Sequence, residues 1–236
     1  MTATSRRAAP VWNAGDRART AAKLMLGWVA FLWLLEAVDA ATGHALDGFG
    51  IEPRRAAELL DVVPASFVHF GFGHVASNSV PLLVLGFLAA LGGIRRFAAV
   101  AAMIIVIDGL GVWLVSPEHS NTAGASGLVF GLFGYLLVRG FVDRRFLDVL
   151  VGLAVGATWG SSILLGISPA NTSVSWQGHL FGLAAGVAAA FVFRRRAHGP
   201  SAVPPARPQG PGAGVSPRPG PRSPSGRPSP GRRSRP

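Results

Sequence analysis

From Trp176 to Arg196 the chain reads WQGHLFGLAAGVAAAFVFRRR. Nothing between Trp176 and Phe193 carries a formal charge, and three arginines follow at once. A helix over this stretch would rise about 27 Å, close to the ~30 Å hydrocarbon core of a bilayer. Its glycines recur every fourth residue, at Gly178, Gly182 and Gly186. Such a small-residue ridge lets another helix backbone approach closely. One histidine, His179, stands near its beginning.

Five more apolar stretches precede this one, each bounded by charge or turn residues. They run about Leu24–Val38, His74–Leu91, Phe97–Val115, Ala125–Val138 and Phe146–Leu165. The first and fourth are short for a bilayer. The composition agrees: of 236 residues, 50% are hydrophobic and 14% charged, against about 25% charged in an average soluble domain. The expected architecture is an all-α polytopic membrane helix bundle with six transmembrane helices. No internal repeat is visible. The polar residues that come first, and the lack of a small-residue cleavage site after the first span, argue against a signal peptide.

Charge gives orientation. Arg6, Arg7, Arg17, Arg19 and Lys23 precede the first span, and Arg95 and Arg96 follow the second. Arg139, Arg144 and Arg145 follow the fourth; Arg194, Arg195 and Arg196 follow the sixth. The loops 116–123 and 166–175 contain no Lys or Arg. The positive-inside rule places both termini in the cytoplasm of a plasma-membrane protein. The first loop, 39–73, must then lie outside although it holds Arg54 and Arg55; with Asp39, Asp47, Glu52, Glu58 and Asp61 it is acidic overall. The domain organisation is therefore a cytoplasmic segment 1–20, a membrane domain 21–196 and a tail 197–236. Seven of the 22 Lys+Arg lie in 199–236, which has no acid, so most of the net charge of +11 belongs to the tail. That Pro/Gly/Ser/Arg composition predicts disorder. No aromatic residue interleaves with its arginines, so nucleic acid is not an expected partner. Absence of cysteine excludes disulfides, thiolate metal sites and cysteine nucleophiles.

Polar residues at membrane depth are costly and usually face the protein interior. Here they are His74, Ser77, Asn78, Asp108, Ser126, Thr158, Ser161, Ser162 and His179. Any single Ser or Thr most simply back-bonds to its own helix, so only a set makes a site. Counting from the arginines that end each span, Ser126, His179 and Asn78 lie roughly 20, 22 and 25 Å above the same boundary. Gly127 and Gly131, flanked by Gly124 and Gly134, give the fourth span a ridge like that of the sixth. The two ridges lie on the helices that carry Ser126 and His179, so hydroxyl and imidazole can meet. A serine beside a histidine is the minimal activated nucleophile. His74 and Asn78, four apart on one helix face, can donate to a developing oxyanion. Free backbone N–H groups at the start of the fourth helix would add positive partial charge there.

Taken together, Gly124-Ala-Ser-Gly127, Gly178-His179 followed by Gly182 and Gly186, and His74 with Asn78, in this order within six spans, resemble the rhomboid intramembrane serine proteases in their compact bacterial form. The resemblance covers about residues 21–196. It implies that Ser126 is the nucleophile and His179 its base, a dyad without a third carboxylate. It implies that His74, Asn78 and the Ser126 N–H, with Gly124 shaping the loop, form the oxyanion hole. His69 matches a further histidine of the family. The first loop becomes a partly buried collar, and the fifth span borders a lateral entry for substrate. Two departures stand out. No Trp-Arg pair occurs around Asp61–Pro64, which questions how the first loop is anchored, and Phe130 stands where many members have Tyr packed on the base.

The expected function is cleavage of transmembrane segments of membrane proteins near the outer face. The expected partners are those substrates and the lipid bilayer. No cofactor and no metal is called for. A non-catalytic rhomboid-like binder of transmembrane clients is the alternative; a small transporter with a proton path through Asp108 and His179 is a third. Asp108 has no assigned role.

Overall fold

In the computed structural model, residues 13–171 and 174–195 are described. The basic tail lies outside them, as do residues 1–12. Six helices follow in order: α1 Ala14–Ala41, α2 Phe72–Ala90, α3 Ile94–Val115, α4 Ser126–Val142, α5 Phe146–Gly166 and α6 Trp176–Val192. Three 3-10 turns, Ala45–Phe49, Ala56–Leu60 and Pro64–Ser66, lie in the first loop. Among the described residues β structure is limited to one antiparallel bridge, Ile51 with Thr122.

Five helices follow the apolar stretches to within a few residues. The exception is α1, which has 28 residues and is not short. The Asn13 side chain accepts the Asp16 N–H at 2.8 Å and caps the helix. Asp16 then favours the positive end of the dipole. The basic residues that follow are good helix formers, so the helix starts well before its apolar part. The shortest helices are α4 and α6, with 17 residues each. Four helices, α1, α2, α3 and α5, are long and apolar enough to cross a membrane by length and composition.

Helix α4 is the central post. Gly127 through Leu136 are all buried, which explains why this helix is apolar all round. It packs against α2, α3, α5 and α6. The α4–α6 contact is backbone on backbone: a Cβ on Gly182 would collide with the Gly127 carbonyl, and one on Gly186 with the Gly131 carbonyl. The two expected glycine ridges therefore face each other. By contrast α1 and α5 expose leucines such as Leu26, Leu34, Leu147 and Leu164, the pattern of lipid-facing helices.

One end of the bundle gathers the basic residues. Arg96 donates to Asp143 at 2.8 Å, Arg139 donates to Asp148 at 3.0 Å, and the Arg195 N–H donates to Asp143 at 2.8 Å. Both Arg96 and Arg139 also lie over the Tyr135 ring. At the opposite end the first loop folds back on the bundle. Arg54 donates to the Ser116 carbonyl at 2.9 Å and pairs with Glu118 at 3.4 Å. Trp113 donates from its indole to the Arg55 carbonyl at 2.9 Å. The collar is thus anchored without a Trp-Arg pair inside the loop: the arginine comes from the loop and the tryptophan from α3. This also accounts for Arg54 in an otherwise acidic loop, while the Arg55 guanidinium pairs with Glu52.

Candidate active site

Beneath the collar lies a cavity of about 990 Å³. Ser126, His179, His74, Asn78 and Gly124 all line it, as does Asp108. The five residues singled out from the sequence therefore share one space, placed there by separate segments of chain.

Ser126 is the first residue of α4. The N–H groups of a first helical turn have no intrahelical acceptor. The preceding Ala125 N–H is already engaged, donating to His69 Nε2 at 3.2 Å. His69 must therefore be unprotonated at Nε2. Burial, then the neighbouring His74, hold its pKa down to about 4, so the ring is neutral across the physiological range. His69 and His74 pack edge to face, with centroids 5.0 Å apart.

Gly124 enters this turn with φ +125°, a conformation that L side chains rarely adopt. Its N–H donates to the Ala65 carbonyl at 2.8 Å. A Cβ here would lie 2.7 and 2.8 Å from His74 Cε1 and Nε2, so glycine is required twice. The Phe70 N–H points at His74 Nδ1 at 3.5 Å. Nδ1 is then the acceptor and Nε2 carries the proton, directed at the Gly124 turn. Asn78 donates one amide proton to the His74 carbonyl at 3.2 Å, within its own helix. Its second amide proton remains for the cavity.

His179 stands in the first turn of α6. Its Nδ1 lies 2.9 Å from the Gly166 carbonyl oxygen. A carbonyl only accepts, so Nδ1 carries the proton and Nε2 presents a lone pair. Gly166 ends α5, where the last carbonyls have no partner in their own helix, and one such carbonyl holds the imidazole. Phe130 stacks on the ring face, 3.9 Å centroid to centroid at 10°. The loss of a tyrosine hydroxyl at this position leaves the packing intact. A Cβ on Gly166 would collide with Phe130 and lie 3.1 Å from His179 Nδ1. No hydrogen bond joins Ser126 to His179 in this structure.

Asp108 reaches the cavity from α3. A Cβ on Gly127 would collide with its carboxylate, and one on Gly178 would lie 3.3 Å from Oδ1. Its Oδ1 is buried without a hydrogen-bond partner. The carboxyl thus fills a notch between α4 and α6 beside Ser126. Among the other polar residues, Ser162 lines the cavity and Thr158 back-bonds to the Ala154 carbonyl at 2.8 Å. Sequence reasoning missed the Gly166 carbonyl; a glycine closing the fifth span was its only trace.

Chemically the arrangement offers a hydroxyl at a helix N-terminus, an oriented imidazole and several N–H donors around one cavity. Residues 56–196 match a family model described as the Rhomboid domain. An uncharacterized protein of Mycobacterium tuberculosis is 42% identical over 176 residues, 71% of this chain and 73% of that protein. A Bacillus subtilis protein named as a proposed rhomboid protease is 30% identical over 178 residues, 71% of this chain and 85% of its own. A chloroplastic rhomboid-like protein of Arabidopsis thaliana is 35% identical over 98 residues, 38% of this chain and 33% of that protein.

Proposed function

The chain belongs to the rhomboid family, and from that premise we propose that this multi-pass membrane protein is a serine endopeptidase acting within the bilayer. Ser126 attacks a substrate carbonyl while His179 Nε2 takes its proton. The tetrahedral intermediate collapses as the His179 imidazolium hands that proton to the leaving amine, breaking the peptide C–N bond. Water entering from the collar side then hydrolyses the acyl-enzyme, with His179 again as base and Ser126 recovering its proton. The oxyanion is met by the Ser126 N–H, His74 Nε2–H and Asn78 Nδ2–H. The observation that carries this reading is the Gly166–His179 hydrogen bond inside the cavity that Ser126 lines. It sets the tautomer a base needs without a third carboxylate. A transmembrane segment entering beside α5, whose Ser162, Leu165 and Gly166 line the cavity, must unwind to present its carbonyl. Small or helix-breaking residues near the collar side are therefore favoured. The basic end faces the cytoplasm, with both termini on that side of the plasma membrane.

The rival reading, a binder of transmembrane clients that does not cut them, draws on the missing Ser126–His179 hydrogen bond. Cleavage of a single-span substrate in liposomes separates the two. The protease reading expects product from the parent protein and none from Ser126→Ala or His179→Ala. No product from any of the three supports the binder, and equal product from all three removes Ser126 and His179 from the cleavage chemistry.

A further inference from the structure

We infer that Asp39, His44 and Asp47 form a divalent-cation site where α1 passes into the first loop, with the buried carboxyl of Glu36 beside it. The ligand atoms of Asp39, His44 and Asp47 all lie within 4.8 Å of one another. Asp39 is 1% exposed; its Oδ2 lies 2.8 Å from His44 Nδ1 and its Oδ1 accepts the Leu46 N–H at 2.7 Å. His44 Nδ1 is also 3.9 Å from Asp47 Oδ2.

Glu36 supplies the decisive observation. It stands three residues before Asp39, on the same face of α1. It is 2% exposed, and neither carboxylate oxygen has a hydrogen-bond partner. The charged groups acting on it are Asp39, Asp47 and His44; the Gly71 backbone lies near it, outside hydrogen-bond geometry. Asp47 Oδ1 is likewise buried and unpartnered. Two carboxylates thus converge on one imidazole, with the buried Glu36 carboxyl next to them. With all three ionised, an imidazolium would leave two negative charges in excess, and among the described residues the ion pairs of Asp39 and Asp47 are with His44 alone. Buried charge without compensation is strongly unfavourable. A dication cancels that excess.

The donor set narrows the ion. Calcium takes six to eight oxygens and magnesium a hydrated octahedron. One imidazole with two carboxylates, and a third carboxyl beside them, suits a borderline ion such as Zn²⁺ or Mn²⁺. His44, whose side chain is 57% exposed, opens the site to solvent for entry. The bound ion ties the end of α1 to the start of the collar. It lies apart from the lining of the Ser126 cavity, so the inference does not rest on the proposed protease chemistry.

The test uses the full chain in detergent, stripped with chelator and titrated with Zn²⁺, Mn²⁺, Ca²⁺ or Mg²⁺. Bound metal after desalting and the unfolding temperature are measured. One equivalent of Zn²⁺ or Mn²⁺ is expected, with a raised Tm. Glu36→Gln and His44→Ala should each weaken binding at least tenfold, and Ser126→Ala should leave it unchanged. His44 is on the surface, so its variant folds even if a change at Glu36 does not. Absence of stoichiometric metal, preference for Ca²⁺ or Mg²⁺, or undiminished binding by His44→Ala overturns the assignment.

Discussion

The two ends of the bundle treat their carboxylates in opposite ways. At the basic end Asp143 accepts from Arg96 and from the Arg195 N–H, and Asp148 accepts from Arg139. At the collar end Glu36 and Asp108 are buried with unpartnered oxygens, and His69 has an unpartnered Nδ1; the basic end keeps unpartnered nitrogens on Arg96 and Arg139, but its carboxylates are paired. Matched charge holds helices together. Unmatched polar groups around a cavity hold chemical potential for a substrate or an ion at the expense of stability. The basic end therefore ties the helices together, and the collar end is where the proposed chemistry would take place.

That division can be broken most sharply at the donors around Ser126. His74→Ala or Asn78→Ala should each lower the cleavage rate by roughly 10²–10³ while leaving the unfolding transition in place. Equal loss of rate and stability would erase the contrast. Asp143→Asn should do the reverse. Its side chain is 0% exposed and that of Arg96 14%, so losing this pair should cost about 3–5 kcal/mol, read by denaturant unfolding in detergent. Ser126 should still react in the folded fraction. A smaller effect, about 1–3 kcal/mol of overpacking, is expected from Gly186→Ala, because the Gly131 carbonyl opposite is backbone and cannot swing away.

The smallest effect is a pH slope. His69 binds its proton more weakly folded, at about 4, than unfolded, near 6.5. Acid therefore favours the unfolded chain. Its contribution is complete above pH 6.5, declines from there toward pH 4 and levels off below. His69→Gln should flatten that part of the stability curve. An unchanged slope would remove His69 from the account.

Much of this architecture is legible in the amino-acid sequence. Charge-bounded apolar runs mark five helices to within a few residues because a bilayer demands uninterrupted apolar length. The glycine ridges of α4 and α6 announce close backbone contact because four-residue spacing repeats on one face. Ser126, His179, His74 and Asn78 stand out because polar groups are rare at that depth, Gly124 stands out only through the family resemblance, and one cavity receives all five. What stays hidden depends on partners with no periodic signal. The Gly166 carbonyl that orients His179 is backbone, and every residue has one. The collar anchors pair Arg54 with Ser116 and Trp113 with Arg55, about sixty residues apart. The true start of α1 depends on one asparagine cap outside the apolar run.

The central claim is that Ser126 is an activated nucleophile, and a fluorophosphonate probe tests it without knowledge of any substrate. The account expects one label per chain, mapped to Ser126 by peptide mass, and its loss in His179→Ala. Labelling absent from the parent protein, or undiminished when His179 is replaced, would contradict it.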